Sequence, residues 1–390
     1  SRELGLDRVE IRRRNLIAPT AMPYRNPFGA TYDCGEFARG LEMALQGIDY
    51  AGFAARRAEA AARGRLRGIG IANAIERAAS PAQPEFAEIR FNPSGSAMVL
   101  VGTKAQGQGH ETLYKQIAHE RLGIDPSELQ FIEGDTDRVA FGMGTNGSRS
   151  TVVGGTAVWN AAGRIIEKGK KIAGHLLEAS ADDIEFEAGK FTVAGTDRSL
   201  TLKEVARAAF VPARLPPGFE PGFYETATFA PPSDTWPNGS HVCEVEIVPG
   251  TGQVQVVGYV VADDVGTMIN PTGVKGQIHG GVAQGLGQAL MEQVVYDRES
   301  GQLLSGSFMD YAMPRADDMP SIKVQNNAVP TKLNPLGAKG AGEAGTVGAI
   351  PAVINAINDA LASAGAAAIE MPATSEKVWT ALRAAKTKTA

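Results

Sequence analysis

Cysteine is nearly absent from this sequence, in which Cys34 and Cys243 are the two cysteines among 390 residues. They lie far apart and match no metal-ligand spacing, so they form no disulfide framework and hold no iron–sulfur cluster. The five histidines are equally dispersed. The sequence therefore predicts no metal centre held by side chains of this chain.

Long apolar runs are also lacking, and no segment is long enough to span a bilayer. No signal peptide is found, which predicts a cytoplasmic protein. The net charge is −5 and no Lys/Arg stripe with interleaved aromatics occurs, which excludes a nucleic-acid partner. Neither a phosphate loop of the GxxxxGK type nor a GxGxxG after a strand is present, and this disfavours an ordinary mononucleotide or NAD site.

Glycine, by contrast, is abundant, with 46 residues that gather in short runs. The recurring unit is a glycine-rich turn that runs into an amphipathic helix. It occurs at Gly107–Gly109, Gly147–Ser150, Gly276–Gln277 and Lys339–Glu343. Each turn offers unpaired N–H groups and a field that favours negative charge. Four such turns predict one large anionic ligand with several phosphate and heteroatom edges.

Polar side chains stand in the same turns. Two are amides, three carry hydroxyls and two are cations: Gln108, Gln277, Ser148, Ser150, Thr151, Arg149 and Lys339. The amides suit neutral bidentate contacts, and the cations suit phosphate charge. Simpler roles stay open, because glutamine and serine also cap helices and a lysine in a loop can be solvated.

One carboxylate, Glu343, stands at the end of the run GAKGAGEAG. The residues that follow, GAIPAVINAINDALASA, carry apolar side chains at helical spacing and predict a buried helix. Glu343 is therefore expected at the N-terminal end of that helix. Because the surrounding glycines leave the backbone bare, another group is expected to approach closely there.

The element pattern predicts an α+β fold. Residues 1–17 and 36–63 are expected to be helical, with Asp7 and Glu10 forming one capping box and Thr201 and Glu204 another. A helix is expected from Gly276 to about Met291. The segments 294–296, 303–311 and 322–329 are expected to be strands.

The proline-rich stretch 212–222 is the best internal boundary. We therefore expect two mixed α/β subdomains with a ligand between them, preceded by a helical connector. The predicted divisions are 1–66 for the connector, 67–220 for the first subdomain, and 221–390 for the second, which carries Glu343.

Several motifs are recognisable together and keep their order along the chain: GQGHET, GSRST followed by GGTAV, INPTGVKGQIHGGVAQGLG and NPLGAKGAGEAG. They resemble the molybdenum-binding subunit of the xanthine dehydrogenase/aldehyde oxidase family, with the general texture of the bacterial carbon monoxide dehydrogenase-like large subunits. The opening ELGLDRVEIRRRNLI resembles that family's mid-chain connector. The resemblance implies that the chain is the C-terminal part of such a subunit and that the subdomains are of the molybdenum cofactor-binding type.

The resemblance also implies a molybdenum–molybdopterin cofactor, in the cytosine dinucleotide form, with almost no ligation of the metal by the protein. The cofactor contacts that it implies are Gln106, Gly107, Gln108, Gly109, Ser148, Arg149, Ser150, Thr151, Gln277, Lys339, Gly340, Ala341 and Gly342. Glu343 matches the family's catalytic base. The implied reaction is an oxidative hydroxylation of an aldehyde or N-heteroaromatic (purine-like) substrate with oxygen from water.

Electrons are expected to leave through iron–sulfur clusters and FAD on partner subunits. With these and the N-terminal half of the molybdenum subunit, the resemblance implies a dimer of heteromers that is active only when complete. The polar loop Glu76–Pro84 is the candidate substrate-facing element.

Two other functions stay open. A non-catalytic cofactor-binding or assembly protein could retain this fold, although the intact Glu343 speaks against it. A nucleotide-dependent transferase would fit the glycine turns, but the sequence lacks a phosphate loop and paired catalytic carboxylates.

Overall fold

Two four-stranded mixed sheets, each covered by helices, organise the computed structural model, which describes residue 1 and residues 3–389. The helices are α1 (Arg8–Asn15), α2 (Phe37–Gly47), α3 (Phe53–Ala62), α4 (His110–Leu122), α5 (Thr156–Leu176), α6 (Leu202–Ala208), α7 (Pro271–Leu290), α8 (Ala344–Ser363) and α9 (Ser375–Thr389). The strands are β1 (Tyr24–Arg25), β2 (Thr31–Tyr32), β3 (Leu66–Ile75), β4 (Glu85–Phe91), β5 (Ala97–Val101), β6 (Leu129–Glu133), β7 (Ile184–Glu187), β8 (Lys190–Val193), β9 (Ser199–Thr201), β10 (Tyr224–Phe229), β11 (Asn238–Val248), β12 (Gln253–Asp264) and β13 (Ile322–Asn326).

The first sheet has the strand order β10–β4–β5–β6, and its β5–β6 pair is parallel while the other pairs are antiparallel. Helices α4 and α5 close its inner face. Their apolar residues, among them Tyr114 and Ile165, pack with Ile89 and Val99 in one core that water does not reach. This packing holds α4 and α5 against the first sheet.

The second sheet has the order β13–β12–β11–β3. Successive residues of its strands face opposite sides, and both sides are buried, as in β11, where Val242 packs toward α2 and Cys243 toward α7 and α8. A strand buried on both faces reads as an almost continuous apolar run. Because β11 is antiparallel to both β3 and β12, these two strands run in the same direction and end at the same edge.

Helix α8 lies directly on β3 at two glycines. A Cβ atom on Gly68 would overlap the carbonyl oxygen of Ala356, and one on Gly70 would overlap that of Ala352. The helix therefore runs antiparallel to the strand at close range. As a result, the end of β3 and the start of α8 lie at the same end of the layer.

The predicted α+β fold of two mixed subdomains is confirmed, but the predicted boundaries do not follow the sheets. Strand β3, assigned to the first subdomain, is part of the second sheet, whereas β10, assigned to the second subdomain, is an edge strand of the first. The connector is not detached either, since α2 and α3 pack on β3 and β11. Strands on the two sides of the proline-rich stretch 212–222 pair with each other, so this stretch does not separate the two sheets.

Several predicted elements also differ. Helix α7 begins at Pro271 and not at Gly276, because the Asn270 side chain caps it by accepting a hydrogen bond from Gly273 N (2.7 Å). The segments 294–296 and 303–311 form no strand; one isolated bridge joins Tyr296 and Leu303. Among the described residues, no helix is both long and apolar enough to cross a membrane.

The capping boxes have different outcomes. The box formed by Thr201 and Glu204 is confirmed, with both reciprocal hydrogen bonds present. Asp7 caps α1 as predicted, but Glu10 does not complete a box, because its carboxylate pairs with Arg14 at 2.8 Å. The strand predicted at 322–329 is β13, which ends at Asn326.

Candidate functional site

A cavity of about 480 Å³ opens where four helical segments begin. Its wall contains the residues next to the starts of α4, α7 and α8, together with the turn that leads into α5. The predicted site residues that line it are Gln108, Gly109, Ser148, Arg149, Ser150, Thr151, Gln277, Lys339, Ala341, Gly342 and Glu343. Three others, Gln106, Gly107 and Gly340, lie next to lining residues but do not line the cavity themselves.

The turn before α4 leaves backbone groups uncovered. Gly109 has a φ of +75°, which favours glycine, and open space lies where a Cβ would stand. Gln108 Nε2 donates to Gln106 Oε1 at 2.9 Å, and Gln108 Oε1 accepts from the backbone N–H of Gln106. These contacts hold the Gln108 side chain at the cavity. Gln106 thus supports Gln108 and does not face the cavity.

The turn before α5 is strained and tightly held. Ser148 adopts a φ of +51°, an uncommon conformation for a residue with a side chain. The Ser150 hydroxyl lies 3.0 Å from the Thr145 hydroxyl. The carbonyl oxygen of Ser150 accepts a hydrogen bond from the buried Tyr114 hydroxyl (3.1 Å). A π-helical turn, Thr151–Gly155, then leads into α5. Helical irregularities of this kind are frequent at functional sites.

Arg149 does not offer its charge to the cavity, although the sequence predicted a phosphate contact. Its guanidinium is 1% exposed, donates to Glu85 Oε2 and Gly144 O at 2.6 Å each, and also donates to Gln83 O at 2.7 Å. The ion pair instead fastens the 143–149 loop to the start of β4. Arg149 is nevertheless one of the residues that line the cavity.

The charge of Lys339 is likewise paired with a carboxylate of this chain. Its ammonium group is fully buried and donates to Asp264 Oδ2 at 2.6 Å, and Asp264 is fully buried as well. The expectation that the Lys339 and Arg149 charges balance phosphate is thus wrong for the side chains, because each charge is neutralised by a carboxylate of this chain. An anion in the cavity would meet helix N-termini and backbone N–H groups.

Helix α7 contributes its N-terminal turn, since it begins before Gly276. Thr272, Gly273 and Gln277 line the cavity, and Asn270 at the cap lies beside them. Of these residues, only Gln277 was predicted from the sequence. The dipeptide Asn270-Pro271 was the available signal, because asparagine caps helices and proline favours the first helical position.

Glu343 stands at the N-cap position of α8 and lines the cavity. Ser148 Oγ donates to Glu343 Oε2 at 2.6 Å and accepts from the backbone N–H of Glu343 at 3.0 Å. The turn is set by two close packings. Gly340 lies against the backbone of Ser148, and Gly345 lies against the backbone of α7 at Gly281. This predicted acid is therefore positioned by backbone contacts from two elements.

A second carboxylate, which was not predicted from the sequence, stands beside Glu343. Glu76 follows β3 at the first position of the Glu76–Pro84 loop, and its pKa is raised to about 8, chiefly by burial and then by the neighbouring carboxylates of Glu343 and Asp263, against a lowering effect of Ser148. The loop itself does not line the cavity. Ala79 N donates instead to Gly147 O at 3.2 Å, which joins the loop to the Ser148 turn.

His110 at the start of α4 also lines the cavity. It is buried, and its Nδ1 lies 3.0 Å from Glu133 Oε2 at the end of β6. This contact fixes the start of α4 to the edge of the first sheet.

These features fit a large anionic pterin cofactor. The volume lies within the usual range for ligand and cofactor sites, and the wall carries helix N-termini with bare glycines where a Cβ would fill the space. Among the described residues, no group of three or more His, Cys, Asp or Glu side chains is arranged to hold a metal ion.

The chain is also similar to known proteins along most of its length. Residues 43–320 match the molybdopterin cofactor-binding domain. The carbon monoxide dehydrogenase large chain of Hydrogenophaga pseudoflava is 38% identical over 98% of this chain and 49% of its own length. The nicotine 6-hydroxylase large subunit of Paenarthrobacter nicotinovorans is 36% identical over 97% of this chain and 48% of its own length.

Solved structures give the same picture. Carbon monoxide dehydrogenase from Oligotropha carboxidovorans superposes with a TM-score of 0.92 at 36% identity, covering 99% of this chain and 50% of that one. Quinoline 2-oxidoreductase from Pseudomonas putida 86 gives 0.91 at 36% identity, covering 98% and 50%. The chain thus spans about half the length of the curated relatives that it matches.

Proposed function

Because this chain belongs to the molybdopterin cofactor-binding family and has carbon monoxide dehydrogenase large chains among its relatives, we propose that it forms the catalytic part of a molybdenum hydroxylase subunit. The proposed reaction is the oxidative hydroxylation of an aldehyde or an N-heteroaromatic compound with oxygen from water. Two relatives are named for N-heterocyclic compounds, nicotine and quinoline, which supports the second substrate class.

When bound, the molybdenum cofactor supplies the two-electron redox chemistry of this reaction. The proposed contacts from this chain are the amide of Gln108, the backbone of residues 147–151, the side chain of Gln277 and the backbone of residues 339–342. Their role is to hold the cofactor through neutral donors, because the nearby cations are already paired with carboxylates. We further propose the cytosine dinucleotide form.

Glu343 is the proposed general base. Its carboxylate lines the cavity, and the Ser148 hydroxyl holds one of its oxygens at 2.6 Å. In this arrangement the carboxylate accepts the proton that leaves the water-derived oxygen as that oxygen bonds to the substrate carbon. The position of Glu343, at the same cavity as the proposed cofactor contacts, is the observation that carries the proposal.

Partner polypeptides are part of the proposal. This chain spans about half the length of its relatives, and large apolar side chains stand in water in the segment 292–314, among them Phe308 (84% exposed) and Met309 (94% exposed). We propose that the other half of the molybdenum subunit covers this segment. The iron–sulfur clusters are assigned to a further subunit, because the two cysteines of this chain are too few to ligate a cluster. FAD is assigned to another subunit on the family resemblance alone.

The test is Glu343→Gln in the assembled enzyme. This change keeps the size and the hydrogen bond with Ser148 but removes the base, so turnover is expected to fall by about 10²–10⁴-fold while molybdenum and pterin contents stay at the wild-type level. Rates are measured with a substrate found by screening aldehydes and N-heteroaromatics. Glu111→Gln is the matched control, since Glu111 stands in the first turn of α4 outside the cavity wall.

Normal turnover by Glu343→Gln would contradict the proposed role of this residue. A wild-type complex that binds the pterin with every partner present, yet hydroxylates no member of the screen, would favour the non-catalytic alternative.

A further inference from the structure

Glu76 has an unusual place for a carboxylate. Both of its side-chain oxygens are buried, and neither makes a hydrogen bond of good geometry with a described residue, although Ser148 and Glu343 lie close enough to shift its pKa. Its backbone is fixed, since Glu76 N donates to Pro237 O at 2.9 Å. An ionised carboxylate in such surroundings is strongly disfavoured and is neutralised by taking up a proton.

The fold places three carboxylates at the same sheet edge, since β3 and β12 end there together. Asp264 is neutralised by Lys339 at 2.6 Å, and Asp263 Oδ1 lies 3.3 Å from His241 Nε2. Among the described residues, no cation forms an ion pair with Glu76. Its neighbour Arg77 pairs with Asp234 at 2.8 Å instead.

The antiparallel packing of α8 on β3 brings Glu76 to Glu343. Ser148 stands beside both, and its hydroxyl has one donor and two acceptor positions. The donor serves Glu343 Oε2, and one acceptor position serves Glu343 N. The remaining positions, on the Ser148 hydroxyl and the Glu343 carboxylate, can only accept hydrogen bonds. This contact therefore lacks a donor, and a protonated Glu76 provides one.

The electrostatic surroundings of Glu76 also favour its protonated form. Burial is the largest cause of the raised pKa of Glu76, which lies at about 8, followed among the raising effects by Glu343 at the start of α8 and Asp263 on β12. His241 on β11 faces Asp263, and its other ring nitrogen lies 2.9 Å from the Tyr259 hydroxyl. At neutral pH the neutral form of Glu76 therefore predominates.

We propose that Glu76 is a positioning residue for Glu343: a neutral carboxylic acid that donates a hydrogen bond to the Ser148–Glu343 contact and so keeps the Glu343 carboxylate directed into the cavity. Glu76 keeps its proton throughout the reaction and does not touch the substrate. This inference rests on the proposed role of Glu343 as the base. It assigns a function to the first residue of the loop that the sequence had indicated for substrate contact.

The test uses the assembled enzyme with three variants. Glu76→Gln keeps a donor that cannot titrate, Glu76→Leu removes the donor, and Arg77→Gln is the matched control that loosens the same loop by breaking only the Arg77–Asp234 pair. The readouts are the infrared band of a carboxylic acid C=O as a function of pH, the pH profile of kcat/KM, and the molybdenum and pterin contents.

In the wild type we expect a carboxylic acid band at pH 7 that fades as the pH passes about 8. The band is expected to vanish in Glu76→Gln and to persist in Arg77→Gln and Glu343→Gln. Because Glu76 can donate this hydrogen bond only while it carries its proton, Glu76→Leu is expected to lower kcat/KM about tenfold below pH 8 and much less above pH 8, where the wild type has lost the donor as well. Glu76→Gln is expected to stay within about threefold of wild type throughout.

A wild type without this band at pH 7 would overturn the proposal, as would a Glu76→Leu profile that matches Arg77→Gln. Loss of molybdenum or pterin in Glu76→Gln would also overturn it, because residue 76 would then be structural. The band does not depend on turnover, so failure of Glu343 as the base would be seen separately, as normal activity of Glu343→Gln.

Discussion

At the scale of single residues, the site is built on buried ion pairs that face away from the cavity. The Arg149–Glu85 pair is 1% and 0% exposed and joins the loop that carries Ser148 to the start of β4. Removing one partner of such a pair leaves an uncompensated buried charge, which costs far more than the pair contributes. The position of Ser148, and through it that of Glu343, therefore depends on Arg149.

We expect Arg149→Met to lower the free energy of unfolding by about 3–5 kcal/mol. Arg13→Met is the control, because Arg13 and Glu42 form an exposed pair (48% and 43% exposed) worth less than about 1 kcal/mol. Urea unfolding measures both. Adding Glu85→Leu to Arg149→Met should recover part of the loss, and equal costs for Arg149→Met and Arg13→Met would contradict this account.

The sequence predicts single residues unevenly. It led to Glu343 and Ser148, because glycine turns and helix starts are local signals. It failed for the charges of Arg149 and Lys339, because their carboxylate partners lie 64 and 75 residues away in the chain. It passed over Glu76 for the same reason, since only the packing of α8 on β3 brings this residue to Glu343.

At the scale of elements, α8 is fitted to its neighbours by small residues. It contacts β3 at Gly68 and Gly70 and α7 at Gly281. A further close approach occurs at Gly348, where a Cβ would overlap the imidazole ring of His241. That ring is fully buried and lies between Tyr259 and Asp263, so it has little room to move.

Gly348→Ala is therefore expected to destabilise the protein by about 1–3 kcal/mol through overpacking, although alanine favours a helix. Gly163→Ala, inside α5, is the matched control: its new Cβ would meet only the Arg121 guanidinium at an ordinary 3.7 Å. This control should gain up to about 1 kcal/mol. Thermal melting of the two variants checks the difference, and a similar gain in both would argue against the fit of α8 to β11.

Elements were predictable where local chemistry decides. The helices after Gly109 and Glu343 and the Thr201–Glu204 box follow from capping and periodicity. Gly276 indicated the wrong start for α7, because the helix already begins at Pro271 after the Asn270 cap. The strands expected at 294–311 did not form, because this segment pairs with no strand of either sheet in the part of the chain that the structure describes.

At the scale of the whole molecule, segment 292–314 exposes several large apolar side chains to solvent. A large contiguous apolar surface marks an interface, whereas a single exposed apolar side chain is ordinary. Phe308 has Met309 and Leu304 as exposed neighbours in the chain. Phe28 is 96% exposed but stands alone at the turn between β1 and β2.

We expect Phe308→Asp to abolish assembly with the other polypeptides of the enzyme, since it places a charge in an apolar contact, while the secondary structure of this chain is unchanged. Phe28→Asp should assemble normally. Size-exclusion chromatography after co-expression, together with circular dichroism of each variant, measures both effects. If Phe308→Asp assembles as well as Phe28→Asp, the proposed covering of segment 292–314 is wrong.

Each sheet contains one strand from the far side of the proline-rich stretch, since β3 belongs to the second sheet and β10 to the first. A polypeptide cut within residues 212–222 would carry β3 without the strand it pairs with and would leave β4 without one of its neighbours. Each piece would then lack a strand of its sheet, and because residues of both pieces line the cavity, we expect the cavity to form only when both are present.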